Sequence, residues 1–238
     1  KKKNERPLKN GKNNYAIVQA EDELAALGMV IGAMWNGARA FTATSGPGVS
    51  LMQEFLGLAY FAEVPAVLID VQRSGPSTGM PTRTQQSDFL IAAYASHGDT
   101  KQVLVIPSSP KECFDFTIMA FDLAEQLQTP VIVMSDLDLG MNDHISQPLK
   151  LDARYKYHRG KVLTADELEQ MSRFGRYLDV DGDGIPYRTI PGTHPNKGMY
   201  FTRGSSRDEY AVYTEDSAAY KRNMDRLSKK WETIKEYV

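Results

Sequence analysis

A doubly wound, mostly parallel α/β sheet with helices on both faces, continued into an irregular C-terminal extension, is the fold class this sequence predicts. Three observations predict it. Short runs of Val, Ile, Leu and Ala recur between residues 15 and 138, and near-continuous apolar runs of this length suit strands buried on both faces of a parallel sheet. Segments with apolar residues at helical spacing separate them, as crossover helices do in βαβ units. From about Met141 the alternation stops, and polar, Tyr- and Arg-rich sequence with Gly and Pro punctuation replaces it. The expected division is an α/β domain over 1–140 and an extension over 141–238 that carries short helices and packs on the same domain.

Five strands are expected, at residues 15–19, 40–44, 66–71, 102–106 and 131–135. Between the first two, residues 22–36 place Leu24, Leu27, Ile31 and Met34 at helical spacing, with Gly37 as the stop. Residues 49–59 repeat the pattern with Met52, Phe55, Leu56 and Ala59, and residues 110–126 with Phe114, Ile118 and Phe121. In the extension, Thr164-Ala165-Asp166-Glu167 reads as a capping box, with Leu163 and Leu168 placed as its hydrophobic staple. From Glu215 onward, Tyr220, Met224, Leu227, Trp231 and Ile234 form one apolar stripe on a charged helix.

Composition narrows the function classes. The chain has 238 residues, 42% apolar and 24% charged, and a formal net charge of −2. That balance offers no global basic field for nucleic acid or an anionic membrane. No run of about 18 apolar residues exists to span a bilayer. Cys113 is the single cysteine, which excludes an internal disulfide and an iron–sulfur cluster held by this chain alone, since such clusters need about four thiolates. A reducing cytoplasm is the expected setting. The polar start without methionine, Lys1-Lys2-Lys3-Asn4-Glu5-Arg6, leads us to expect a longer parent at both ends.

Ligands of doubly wound sheets collect at the carboxyl ends of the strands, which directs attention to three constellations. The first is Gln19-Ala20-Glu21-Asp22-Glu23, where acids meet the first turn of an apolar helix. Acids there serve as caps and favour the positive end of the helix dipole. Glu23 has a second reading, because the residues after it are apolar and a carboxylate entering such a pocket gains proton affinity. The second constellation is the loop over residues 72–86, which follows a buried strand and holds Arg73, Ser77, Thr78 and Thr82. Long loops within compact domains are more often functional than not; a guanidinium with nearby hydroxyls suits a small carboxylate substrate. The third, Asp179-Val180-Asp181-Gly182-Asp183-Gly184, imitates an EF-hand start, but its twelfth position is Ile190 and the bidentate glutamate is missing. Pro186 and Pro191 stand where a diphosphate-binding motif needs a helix. A tight turn is expected, with weak cation binding open. His97, His144, His158 and His194 share no metal-ligand spacing, so no metal site is assigned; His97-Gly98-Asp99 reads as a turn.

In order and spacing, residues 19–33, 37–48 and 73–84 resemble landmarks of the alpha subunits of 2-oxoacid:ferredoxin oxidoreductases. Residues 181–188, Pro191-Gly192-Thr193-His194-Pro195 and Tyr200-Phe201-Thr202-Arg203-Gly204 resemble the insertion carried by the 2-oxoglutarate branch, so the likeness covers nearly the whole chain. The resemblance implies the pyrimidine-binding domain of a thiamine diphosphate fold. Two domains from different subunits would clasp thiamine diphosphate, with magnesium and an iron–sulfur cluster on the partner beta subunit. It implies that Glu23 meets the pyrimidine N1′, that Ser45 and Gly46 contact the cofactor, and that Arg73 and Thr82 receive the substrate's carboxylate and oxo end, where the Ser77 and Thr78 hydroxyls of the same loop complete the expected cradle. The reaction implied is oxidative decarboxylation of a 2-oxoacid, with ferredoxin as electron acceptor and coenzyme A as acyl acceptor, in an α2β2 assembly. The isolated chain would be inactive. The family's upstream Tyr-Pro-Ile-Thr-Pro motif is absent from these residues. Two further readings stay open here: a half of another, transketolase-like thiamine enzyme, and a non-catalytic assembly module.

Overall fold

The computed structural model describes residues 15–238. In chain order the elements are α1 (Glu23–Trp35), β1 (Phe41–Thr44), α2 (Gly46–Leu51), α3 (Gln53–Ala62), β2 (Ala66–Gln72), α4 (Phe89–Ala93), β3 (Val103–Val105), α5 (Pro110–Leu127), β4 (Pro130–Asp136), α6 (Leu137–Met141), α7 (Ala165–Gln170) and α8 (Ser217–Ile234). The four strands form one parallel sheet in the order β1-β2-β4-β3. This confirms the α/β class. β2 and β4 lie at the centre, and every residue of β4 is buried, as its Val-Ile-Val-Met run demands of a strand covered on both faces.

The first expected strand is corrected. Residues 15–19 join no ladder, and Ile17 is 92% exposed. An apolar run signals capacity for burial and does not supply a neighbour. β1 is the sheet edge on that side, and a groove of about 980 Å³ is lined by Ile17 and Val18 on one hand and by Phe41 and Ala43 on the other.

The helix expected over 49–59 is two helices. It starts three residues earlier, because Ser45 is extended and Pro47 sits in the first turn, where a missing N–H costs nothing. At Met52 the amide is shared between the carbonyls of Gly48 (3.0 Å) and Val49 (3.2 Å), a tightening that separates α2 from α3. α3 then ends in a left-handed residue, Glu63 (φ 57°). α5 begins as expected, with Ser109 accepting from the Glu112 amide and Pro110 at its first position. The capping box forms: Thr164 and Glu167 bond reciprocally, and Leu163 and Leu168 are buried beside it.

α8 keeps most of its expected stripe: Leu227 and Ile234 are buried, Trp231 packs against the core and Met224 is half-buried, while Tyr220 is 49% exposed. Asn223, Arg226 and Lys230 are buried as well, which periodicity did not indicate. Periodicity counts apolar residues, whereas this face is set by an acceptor on another element: Glu63 receives Lys230 at 2.9 Å and both terminal nitrogens of Arg226. A second polar joint links the extension to the sheet. Arg39, just before β1, bonds Asp122 and Glu125 of α5 and the Tyr155 hydroxyl, while Arg159 donates to Gly37 O at 2.9 Å. Among the described residues no helix is long and apolar enough to cross a membrane.

Candidate functional site

The carboxyl ends of β1 and β2 and the start of α1 meet at one helix, α2. The contact is tight. A side chain at Gly48 would lie 1.9 Å from Thr44 Oγ1 and 2.9 Å from Glu23 Cγ, so the glycine lets the end of β1 and the first turn of α1 close on each other. At Gly46 a Cβ would lie 2.6 Å from Asp88 Oδ1, which brings the loop after β2 against the same helix. Gly46-Pro47-Gly48 is thus the hub where the end of β1, the first turn of α1 and the loop after β2 meet.

Glu23 stands at the first position of α1. The helix cap is its neighbour Asp22, which accepts from the Ala25 amide at 2.7 Å, so capping accounts for Asp22 and not for Glu23. The Glu23 side chain is exposed on this chain, at the wall of the groove beside β1. The apolar enclosure expected for it is not supplied by these residues. Ser45 occupies the cap position of α2 but its hydroxyl makes no capping bond. Both groups therefore remain available to a ligand.

On the other side of α2 lies a pocket of about 390 Å³, lined among others by Gly46, Ser50, Arg73, Ser77 and Asp88. The loop that encloses it is ordered by its own backbone: Ser74 N donates to Arg83 O at 2.8 Å and Met80 N to Ser74 O at 3.0 Å. Arg73 is half-buried and its Nε has no partner. Buried donors of this kind are normally satisfied, and an anionic ligand would satisfy this one. Ser77 shares the pocket with Arg73. Thr78 and Thr82 do not line it; they stand exposed on the outer side of the loop, where the Thr82 hydroxyl accepts from Arg83 at 3.4 Å.

Sequence reasoning missed two acids, Asp88 in the lining of this pocket and Asp70 on the preceding strand β2. Asp70, on β2, is fully buried and neither of its oxygens has a partner. Burial, and then the nearby Asp88, push its carboxyl up to about 7. Asp88 is also raised by burial, against the opposing pull of Ser87, the Gly46 amide and Arg73. The signal was present: Asp70 interrupts the apolar run Ala66-Val67-Leu68-Ile69.

The turn over residues 179–184 is held internally. Lys161 Nζ reaches both oxygens of Asp183 at 2.8 Å and Asp181 Oδ2 at 2.7 Å, so an ammonium sits where a cation would. His97 lies in a left-handed turn with Gly98 and Asp99, exposed and 3.9 Å from Glu54, outside the pocket. His194 is spent on Glu169 at 2.7 Å.

A parallel sheet whose strand ends present an unspent carboxylate on one side of a glycine-rich helix start, and an unpaired guanidinium on the other, defines a two-sided ligand-binding α/β domain. The chain belongs to the pyruvate flavodoxin/ferredoxin oxidoreductase family, whose thiamine diphosphate-binding domain model matches residues 2–218. It is 54% identical over 139 residues to the 2-oxoglutarate synthase subunit KorA of Methanothermobacter marburgensis, covering 58% of this chain and 37% of that protein. To the subunit KorA of Methanothermobacter thermautotrophicus it is 40% identical over 231 residues, 92% of this chain and 59% of the relative. The alpha subunit of 2-oxoacid:ferredoxin oxidoreductase 1 from Sulfurisphaera tokodaii is 40% identical over 223 residues, 91% of this chain and 34% of that subunit. Among solved structures, 2-oxoglutarate:ferredoxin oxidoreductase from Magnetococcus marinus, with 2-oxoglutarate, coenzyme A and succinyl-CoA bound, superposes with a TM-score of 0.84. The two are 32% identical, over 97% of this chain and 38% of that one. The chain therefore spans between 34% and 59% of the length of each of these relatives.

Proposed function

We propose that this chain is the pyrimidine-binding half of a thiamine diphosphate site in the alpha subunit of a 2-oxoacid:ferredoxin oxidoreductase of the 2-oxoglutarate type. The observation that carries the reading is the convergence on Gly46–Gly48: Glu23 on one side, Arg73 on the other, and the unspent Ser45 hydroxyl between them. Those residues fit the cofactor's polar half. Glu23 would meet the pyrimidine ring nitrogen and share a proton there, a task for a carboxylate without a protein partner; Ser45 and Gly46 would flank it. Thiamine diphosphate, when bound, supplies a nucleophilic carbon and an electron sink for decarboxylation. Arg73 would hold the substrate carboxylate, with Ser77 beside it. Thr78 and Thr82 would meet the oxo end from the exposed side of the loop, where a second domain closes the site. Magnesium, the diphosphate and the iron–sulfur cluster would belong to a beta subunit, in an α2β2 assembly that delivers electrons to ferredoxin and the acyl group to coenzyme A in the cytoplasm. One cysteine in the chain accords with that division.

The test is Arg73→Ala in the assembled enzyme, assayed with 2-oxoglutarate, pyruvate and 2-oxobutyrate. Losing a charge-assisted contact in a partly buried site should cost roughly 2–5 kcal/mol, a thirtyfold to several-thousandfold fall in kcat/KM. Arg73→Lys should not restore it, because an ammonium lacks the planar fork. Efficiencies within twofold of wild type for all three acids would make the loop a surface connection only. A second expectation concerns the division of labour. Calorimetry with magnesium present should show no micromolar binding of thiamine diphosphate to the 238-residue chain alone, and tight binding would overturn the assignment of the diphosphate to a partner.

A further inference from the structure

The loop that carries Arg73 leaves the sheet at the end of β2 and runs to the start of α4, and both of its limbs line the pocket: Arg73, Ser74 and Ser77 on the outgoing limb, Gln85, Ser87 and Asp88 on the returning one. We propose that Gln72 and Asp136, the last residues of the two central strands, are positioning residues that clamp the returning limb, and so fix the pocket wall against which Arg73 meets the substrate carboxylate. This deepens the proposed 2-oxoacid site and rests on that reading.

The clamp follows from the register of the sheet. Gln72 of β2 pairs with Asp136 of β4. Laterally paired residues of a sheet point to the same face, so the two side chains stand side by side where the strands end. Each takes hold of the limb. Gln72 is fully buried and its amide is used at both ends: Oε1 accepts from the Asp88 backbone amide at 3.1 Å, and Nε2 donates to Ser135 O at 3.3 Å. Asp136 Oδ2 accepts from Gln86 Nε2 at 2.7 Å, while its Oδ1 caps α6 by accepting from the Leu139 amide at 3.0 Å. Residues 86 and 88 are thus caught, two positions apart, by two neighbouring side chains.

The two limbs differ in how they are held. The outgoing limb is ordered by backbone bonds, from Ser74 N to Arg83 O, Met80 N to Ser74 O and Arg83 N to Met80 O. Among the described residues no backbone–backbone bond holds residues 84–87. Their place depends on the two side chains and on Asp88, whose carbonyl accepts from the Ala92 amide at 2.9 Å and whose Oδ1 lies against Gly46 at the start of α2. An amide is what position 72 demands. A hydrocarbon there would strand the Asp88 N–H and the Ser135 carbonyl, and a carboxylate would oppose that carbonyl with no donor. Gln72 also immediately precedes Arg73, so the residue that grips the returning limb is covalently joined to the one that meets the substrate.

Variants of the assembled enzyme, with Arg73→Ala alongside, test the clamp. Gln86 is exposed, so Gln86→Ala should leave thermal unfolding unchanged. It should nonetheless raise KM for 2-oxoglutarate about tenfold with kcat within about threefold, because a displaced guanidinium loses ground-state and transition-state binding alike. Gln72→Met keeps the volume, removes both bonds and should act in the same direction; Gln86→Ala carries the test if that variant fails to assemble. Asp136→Asn should stay close to wild type, since its remaining oxygen still accepts from Leu139 and its NH2 donates to Gln86 once that amide turns over. In an Arg73→Ala background Gln86→Ala should add nothing, the non-additivity of two residues that act through one contact. Hydrogen exchange needs no substrate: the amides of residues 84–88 should exchange about tenfold faster or more in Gln86→Ala. Unchanged exchange overturns the clamp. Faster exchange with an unmoved KM in Gln86→Ala, or additive effects in the double variant, overturns the positioning role. An unmoved KM in Arg73→Ala itself strikes the 2-oxoacid reading, and the positioning role with it, while the exchange data still decide the clamp.

Discussion

Glu23→Gln in the assembled enzyme is expected to lower turnover by at least about a hundredfold, the lower range of a general acid–base contribution, with cofactor retention and subunit assembly unchanged. The argument rests on what Glu23 does not do in this chain. Asp22 caps α1, and among the described residues no hydrogen bond from the Glu23 side chain ties it to the rest of the fold. Its remaining structural contribution is a first-turn charge near a helix N-terminus, worth about 0.3–1 kcal/mol, and an amide of the same shape forfeits only that. The packing of its Cγ against Gly48 is preserved. An amide cannot exchange a proton with the pyrimidine nitrogen, so the loss should appear in kcat rather than in cofactor affinity. Turnover within tenfold of wild type, at full cofactor occupancy, would remove Glu23 from the chemistry and leave it an ordinary helix-end acid.

The sheet was legible because burial on both faces leaves a compositional mark: Val131-Ile132-Val133-Met134 can be little else but a central strand. The loop after β2 was legible for a different reason, its length between a buried strand and the next helix. Strand partnership was not legible. Residues 15–19 carry the same apolar mark as β2 yet stand outside the sheet, since composition reports what a segment can bury and is silent on what lies beside it. The break at Met52 follows from one shared amide, a feature below the resolution of any periodicity. Thr82 and Ser77, five residues apart in one loop, were read alike; a loop held by three internal backbone bonds has an inner and an outer side, and only Ser77 is on the inner one. The same limit explains Asp70, whose position in a strand was plain but whose raised proton affinity comes from burial and from an acid 18 residues later acting on it through space.

The buried face of α8 leads to the largest stability effect expected in the molecule. Glu63→Gln should cost about 3–5 kcal/mol in denaturant unfolding of the subunit, the range for removing one partner of a buried ion pair. Glu63 is fully buried at the left-handed end of α3 and lies among four buried cations. Lys230 and Arg226 bond its side chain, Arg176 donates to its carbonyl at 2.8 Å, and Arg207 bonds the Phe61 carbonyl while stacking on the Phe61 and Tyr177 rings. Burial alone would raise its carboxyl, but Arg226 and Lys230 outweigh that and hold it well below the usual carboxylate range. Burial pushes Lys230 down to about 8 even with Glu63 in place; without that charge the ammonium has little reason to persist. Glutamine keeps the volume and the same φ, so the backbone strain at this position is common to both proteins and cancels. The pH dependence has a definite sign. A carboxyl depressed in the folded state contributes stability above its unfolded value, about 4.3, and that contribution is lost as pH falls through the lower folded value. Wild type and Glu63→Gln should therefore differ most near neutrality and converge as the solution is acidified below about pH 4. A difference under about 1 kcal/mol at pH 7, the worth of an exposed pair, would mean that α8 is held by its apolar residues, Leu227, Trp231 and Ile234 among them, and that the buried charges merely accompany it.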